Sequence, residues 1–286
     1  MTRDTTRSPS NLALRLGTAA VAVPIILALV FPAPPWAFYL LVLAASLVGV
    51  RELFAMTHPG DVPGQVVGVL VSAAASLTVY LFPGNARALV TVLVVVPAIG
   101  PLWTLARLGA IETAALRACA LGFGPLFVVV PLTLLPVMKK TLGEAGPGFV
   151  LLSLGLAWLA DTVAYFAGRL FGRRKLYEAV SPKKTVEGAI GGLLGSLLWA
   201  VLAALWFLRG SLPLAHAVLL APVAGVLGQA GDLAESLLKR STGVKDSGAI
   251  VPGHGGVLDR VDAVIMTTMV VFLYSLWIAP GIRSAR

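Results

Sequence analysis

An all-α, polytopic membrane protein of about nine transmembrane helices is what this sequence predicts, and three observations carry that expectation. Of its 286 residues, 58% are hydrophobic and only 12% charged, where a soluble domain carries about 25% charged residues. Mean hydropathy is +0.91, so there is more apolar surface than one globular core can hide. Apolar runs also recur at about the 20 residues needed to cross ~30 Å of hydrocarbon. The same figures exclude intrinsic disorder. The 30 Gly and 19 Pro are compatible with membrane helices, where neighbouring helices satisfy the backbone groups these residues free. Cys119 is the only cysteine, which excludes an intramolecular disulfide and a multi-Cys metal site.

The apolar runs fall at about 17–32, 36–55, 64–82, 88–106, 118–138, 149–170, 186–208, 214–238 and 262–280. Turn signals separate them: Pro32 to Pro35, Pro59-Gly60, Pro83-Gly84-Asn85, Gly143 to Gly148 and Pro280-Gly281. The basic start followed by Gly17 to Phe31 reads as a signal anchor rather than a cleaved leader, because further spans follow. Two regions are expected: 1–140, a scaffold of N-terminal helices, and 141–286, a catalytic transmembrane region around a polar cavity. Nine spans place sixteen of the 22 Lys and Arg residues on the side of the N-terminus. Basic residues crowd cytoplasmic loops, so that side is expected to face the cytoplasm. The net charge of +9 is then explained by loop placement and contact with anionic headgroups, and no nucleic-acid partner is called for.

The acidic residues divide unevenly. Asp4, Glu52, Asp61 and Glu112 sit near span ends or in loops, so the N-terminal half reads as chemically quiet. In the C-terminal half Asp161 lies inside the sixth span, Asp232 and Glu235 inside the eighth, and Asp259 and Asp262 open the ninth. Ionisable groups at bilayer depth are expensive, face the bundle interior and mark function. Asp232 and Glu235 are three apart on one helix face, as are Asp259 and Asp262. Two helices thus aim carboxylates at one region, and hard oxygen donors of this kind suit Mg²⁺. The competing reading is salt bridging to Lys239, Arg240 or Arg260, with Asp259 as a helix N-cap.

Two polar stretches accompany these carboxylates. Ser181-Pro182-Lys183-Lys184-Thr185 follows Arg173-Arg174-Lys175 and precedes a glycine-rich span. Hydroxyls, lysines and a helix N-terminus make a natural phosphate cradle. Residues 236–262 are polar and glycine-rich between two apolar spans, with Lys239, Arg240 and Lys245 able to neutralise a polyphosphate. Gly253, Gly255 and Gly256 flank His254, which offers a phosphate donor or an acid–base group. His58 and His216 have no such company and read as structural.

The 236–262 stretch resembles the signature of the phosphatidate cytidylyltransferase family. The matching residues are Ser236, Lys239, Arg240, Lys245, Asp246, Pro252 to Gly256, Asp259, Arg260 and Asp262. Asp161 to Tyr165 with Gly168-Arg169 and Gly172-Arg173, and Ser181 to Thr185 with Glu187-Gly188, are similar to the same family. Val163 and Ser247 fall at positions outside the pattern. The resemblance covers about 150–275 and reaches the first 140 residues only as a series of spans. It implies a membrane enzyme, commonly a homodimer, that joins CTP to phosphatidic acid to give CDP-diacylglycerol and pyrophosphate, with a divalent cation, Mg²⁺ or another, and a second cation in view. It also implies a multi-pass plasma-membrane location with the site facing the cytoplasm. On that basis Asp232, Asp259, Asp262 and Glu235 are the expected metal ligands. Asp232, Asp259, Asp262, Lys245 and His254 are the expected catalytic set. Asp161, Ser181 to Thr185, Lys239, Arg240, Asp246 and Arg260 are expected to bind substrate. The alternative is an ion-coupled transporter, since buried carboxylates also mark ion paths, but no inverted halves are visible. The Asp-Gly-x2-Ala-Arg pattern of the alcohol phosphotransferases, which consume CDP-diacylglycerol, is absent.

Overall fold

The computed structural model describes residues 11–248, 250 and 255–279. Its helices are α1 (Asn11–Val30), α2 (Pro35–Thr57), α3 (Val62–Leu81), α4 (Ala86–Ala106), α5 (Ala114–Gly124), α6 (Val130–Thr141), α7 (Gly146–Phe171), α8 (Val186–Leu205), α9 (Leu214–Ser241) and α10 (Leu258–Trp277). Eight helical segments among the described residues are long and apolar enough to cross a bilayer, and Ala20–Val30 adds a shorter apolar one. The chain is an all-α polytopic membrane protein, as its composition predicts.

Local chemistry sets the breaks. Asp61 caps α3 by accepting from Gly64 N at 3.2 Å. Asn85 caps α4 through Arg87 N and Ala88 N, at 3.1 and 3.2 Å. Each cap satisfies backbone donors that a helix start leaves orphaned. The fifth expected span is built from α5 and α6 joined by a π-helical turn, Pro125–Val129. Proline at the start of that turn removes a backbone donor, and the wider ladder absorbs the defect without breaking the span. A departure from the predicted plan lies between α7 and α8. Lys175–Tyr177 (β1) and Ser181–Thr185 (β2) pair antiparallel, with Lys175 opposite Thr185 and Tyr177 opposite Ser181. The expected phosphate loop is therefore one arm of a short hairpin.

The outer surface is itself apolar. Leu93, Leu102, Leu105, Leu194 and Leu219 all stand exposed, the mark of a chain whose solvent is lipid. Trp36 opens α2, Trp206 follows α8 and Trp277 closes α10, and each is more than half exposed. All three lie at the end of the bundle away from the hairpin, where amphipathic rings favour a membrane interface. At that end Lys139 donates to Leu29 O and Ala33 O, at 2.5 and 2.6 Å, and Lys140 donates to Tyr80 O at 3.0 Å. These two lysines satisfy carbonyls at the ends of α1 and α3, which explains basic residues on the sparsely charged side.

Inside, Phe38, Phe54, Leu121, Met138, Phe149, Leu156, Leu258 and Ile265 belong to one buried cluster drawn from both halves of the chain. The C-terminal helices are most closely joined at α7 and α8. A Cβ at Gly188 would lie 3.0 Å from Ala164 O, one at Gly195 3.0 Å from Leu159 O, and one at Gly191 would overlap Ala167. In lipid there is no hydrophobic drive between helices, so close backbone approach through small residues carries the association. His58 and His216 serve packing. His58 is buried with Nδ1 2.9 Å from Thr57 Oγ1, and His216 Nδ1 lies 3.1 Å from Tyr274 OH. Burial lowers the pKa of His58, so stability is expected to fall as pH drops below about 6.5, where the unfolded state gains the proton first.

The seam between α7 and α8 can be tested directly. Gly191→Val forces a branched side chain against Ala167 and is expected to cost about 1–3 kcal/mol. Thermal unfolding in a fixed detergent should show its midpoint several degrees below wild type. Gly84→Ala, where a Cβ meets nothing within 4 Å, should leave the midpoint unchanged.

Candidate active site

The polar residues gather at one end of the bundle, where α7 and α9 finish and α8 and α10 begin. Helix α9 has 28 residues and is about 42 Å long, which exceeds the ~30 Å of bilayer hydrocarbon. Its last turns, bearing Asp232, Glu235 and Lys239, therefore reach the polar boundary. Thr185 ends β2 and caps α8, its hydroxyl accepting from Gly188 N at 3.1 Å. Glu187, in the first turn of α8, accepts from Arg173 N at 3.0 Å and Arg174 N at 3.2 Å, and so anchors the chain leaving α7.

These elements enclose a half-open cavity of about 510 Å³, lined by Asp161, Ala164, Tyr165, Gly168 and Arg169 of α7. The hairpin and α8 contribute Leu176, Lys183, Lys184, Thr185, Gly188 and Ala189, and α9 contributes Gln229 and Asp232. Lys184 pairs with Asp232 across the cavity, each side chain about a quarter exposed. Gln229 Nε2 donates to Ala189 O at 3.0 Å, tying α9 to α8. Arg169 donates to Tyr165 OH at 3.2 Å on the outer wall. Asp262 lies in the second turn of α10, and its Oδ1 accepts from Ala263 N at 2.7 Å. Arg260, in the first turn of α10, is exposed.

A second polar group lies beside the cavity. Lys239 Nζ is 2.5 Å from Glu235 Oε2 and 2.5 Å from Asp259 Oδ1. Glu235 is 4% exposed and Lys239 8%, so this is a buried triad rather than a surface pair. The other oxygen of Asp259 accepts from Ser247 N at 3.1 Å, Ser247 Oγ at 3.0 Å and Gly256 N at 2.9 Å. Gly255, with φ of 81°, takes the left-handed turn that delivers Gly256 N, a conformation glycine adopts freely.

A family model described as "Cytidylyltransferase family" matches residues 13–278. The chain belongs to the cytidylyltransferase family. Relatives named phosphatidate cytidylyltransferase include one from Synechocystis sp., 42% identical over 134 residues, which is 47% of this chain and 45% of that protein. One from Staphylococcus haemolyticus is 47% identical over 118 residues, 41% of this chain and 45% of that protein. One from Bacillus subtilis is 43% identical over 139 residues, 48% of this chain and 50% of that protein. The chain spans about half the length of the curated relatives it matches.

For this cytidylyltransferase-family chain, the predicted site residues separate into distinct roles. Asp161, Lys183, Lys184, Thr185 and Asp232 share the cavity wall, while Ser181 and Pro182 lie on β2 outside it. Glu235 and Asp259 do face a cation, but it is the ammonium of Lys239. Among the described residues no three His, Cys, Asp or Glu side chains are gathered tightly enough to hold a metal ion. Lys245 and Asp246 are exposed beside the buried Ser247. Arg240 donates to Val180 O at 3.4 Å and Val244 O at 3.1 Å, bracing the hairpin and the segment after α9. His254, with Pro252 and Gly253, lies outside the described residues.

The sequence reading missed Glu52. It does not sit idle at a span end: it is 4% exposed and accepts from Val257 N at 3.1 Å, Leu258 N at 2.9 Å and Ser247 Oγ at 2.9 Å. It thereby caps α10 from another helix, a role the competing reading of the sequence gave to Asp259. Its place on the buried face of α2 with Gly49 and Leu53, while Arg51 is exposed, emerges only in the structure. Ser247 carried no signal of its own. Removing the shared cation should be severe. Lys239→Met leaves two carboxylates buried and uncompensated, at an expected cost of about 3–5 kcal/mol. Lys184→Met, at the half-open wall, is expected to cost less than about 1 kcal/mol. Thermal midpoints of the two variants in detergent check that order.

Proposed function

We propose that this protein is a phosphatidate cytidylyltransferase: it condenses CTP with phosphatidic acid to give CDP-diacylglycerol and pyrophosphate at the polar end of the bundle. The single observation that supports it most is the cavity itself. Within one half-open space the chain presents two lysines, a helix N-terminus and carboxylates, and the surrounding helix faces are lipid-facing. Membership of the cytidylyltransferase family and the printed names of the relatives support the same reaction.

The chemistry asks for positioning and charge neutralisation. A phosphate oxygen of phosphatidic acid attacks the α-phosphorus of CTP. The new P–O bond forms as the bond to the bridging oxygen of the β-phosphate breaks, and that oxygen leaves with pyrophosphate. A phosphomonoester has its second pKa near ~6, so the nucleophile is already largely ionised at pH 7 and no strong general base is needed. Lys183 and Lys184 hold phosphate oxygens at the mouth of α8. Lys245 meets the triphosphate from the α9–α10 connection, and Arg260 adds charge at the rim. The acyl chains remain in the bilayer beside the apolar outer wall.

A divalent cation fits one group of residues better than the other. Asp232 and Asp161 offer hard oxygens lining the one cavity. Asp259 and Glu235 are engaged by Lys239, which a metal ion would have to displace. Mg²⁺ is commonly held by one or two carboxylates with substrate phosphates completing its shell, so these two suffice without a protein cage. Bound there, the ion would supply Lewis-acid stabilisation of phosphoryl oxygens. Lys184, paired with Asp232, is then free to move onto the substrate. We place this end of the bundle at the cytoplasmic face, where CTP is found, in accord with the distribution of basic residues.

Purified protein in detergent with CTP, phosphatidic acid and Mg²⁺ should form CDP-diacylglycerol and pyrophosphate in equal amounts. Excess EDTA should abolish turnover and added Mg²⁺ restore it. Asp232→Asn should lower kcat by about 100-fold or more, the scale of losing one electrostatic contact to the transition state. Full activity in EDTA, or wild-type turnover by Asp232→Asn, would refute the metal assignment.

A further inference from the structure

We infer that Glu52, on a helix of the N-terminal half, is a positioning residue for nucleotide binding. It fixes the segment around Ser247 and the start of α10 so that Lys245 meets CTP in one arrangement while Asp259 keeps its hold on Lys239. The inference rests on the transferase reading above.

The geometry is specific. Three donors from two separate segments converge on one buried carboxylate: Ser247 Oγ and Leu258 N on Oε2, and Val257 N on Oε1. The backbone is moulded around it. A Cβ at Gly248 or at Gly256 would come within 2.8 Å of Glu52 Cδ. No lysine or arginine among the described residues pairs with Glu52. Its charge is balanced by backbone N–H groups, a hydroxyl and the N-terminal dipole of α10. A carboxylate held this way gives up all hydration to bind loop backbone, which is costly unless every donor is in place.

The clamp leads directly to the site. Ser247 Oγ lies 2.9 Å from Glu52 Oε2 and 3.0 Å from Asp259 Oδ2, so the two carboxylates share its single proton, and Ser247 N also donates to Asp259. Asp259 in turn holds Lys239. Lys245 stands exposed two residues before Ser247. Glu52 therefore sets where a phosphate-binding lysine starts and which way Asp259 turns, without itself reaching the cavity.

Glutamine cannot copy this arrangement. Val257 N and Leu258 N donate to different oxygens, so a Gln amide must set its NH₂ against one of them. The segment then samples other arrangements, and apparent affinity falls by the fraction that remains competent. A competent fraction of about one in ten raises KM for CTP about tenfold, and saturating CTP restores kcat. A residue that only stabilised the fold would act differently: the active fraction and hence apparent kcat would fall at unchanged KM.

The experiment compares wild type, Glu52→Gln and Ser247→Ala, each purified as a monodisperse species in detergent, with kcat and KM measured for CTP and for phosphatidic acid. Glu52→Gln should raise KM for CTP about tenfold or more while kcat and KM for phosphatidic acid stay within about threefold. Ser247→Ala should shift KM for CTP in the same direction by a smaller factor. An unchanged KM for CTP in folded Glu52→Gln, or a loss confined to kcat, overturns the proposal. If Glu52→Gln is not recovered folded, an unchanged KM in Ser247→Ala overturns it instead. A wild-type protein that forms no liponucleotide sinks the transferase reading and this proposal with it, whereas normal wild-type turnover with unshifted variants sinks this proposal alone.

Discussion

The buried ammonium of Lys239 is the interaction on which the polar end of this protein depends. It sits between Glu235 on its own helix and Asp259 on the next, in surroundings too dry for any of the three charges to stand alone. Because one cation serves two carboxylates, the triad carries surplus negative charge, and backbone N–H groups and the hydroxyl of Ser247 absorb it. The same solution recurs at Glu52. Buried charge is accommodated here by directed donors from Ser247 and the start of α10, and this ties α2, α9 and α10 into one unit.

The cavity has a different physical origin. Glycines and alanines along α7 and α8 let the two backbones approach until a single added methyl would collide. That closeness brings the hairpin, the mouth of α8 and Asp161 to one place, and Gln229 fastens α9 across the top. The site therefore combines a steric seam, which builds the walls, with an ionic relay, which orients the groups behind them.

Much of this was legible in the sequence because the bilayer imposes its own rules. Span length, turn punctuation and basic-residue asymmetry follow from composition and need no tertiary knowledge. The cluster of C-terminal carboxylates stood out for the same reason, since Asp161, Asp232 and Asp262 interrupt or open apolar runs of the sequence. What the sequence did not reveal is partnership. Asp232 and Asp259 looked equivalent, yet one faces an open cavity and the other a buried lysine, and only the packing of α9 on α10 separates them. Glu52 was hidden because its donors lie about two hundred residues away along the chain. The pairing of Lys175 to Tyr177 with Ser181 to Thr185 was hidden because short, basic, exposed strands carry no alternating apolar pattern.

The tryptophans far from the site acquire a meaning from these arrangements. Trp36, Trp206 and Trp277 ride at one membrane interface like floats at a waterline, while α9 overshoots the hydrocarbon at the opposite leaflet. The distance between that waterline and Asp232 is a fixed length of helix. The draught of the molecule, and with it the depth of Asp232, is thus tied to the thickness of the lipid in which it sits.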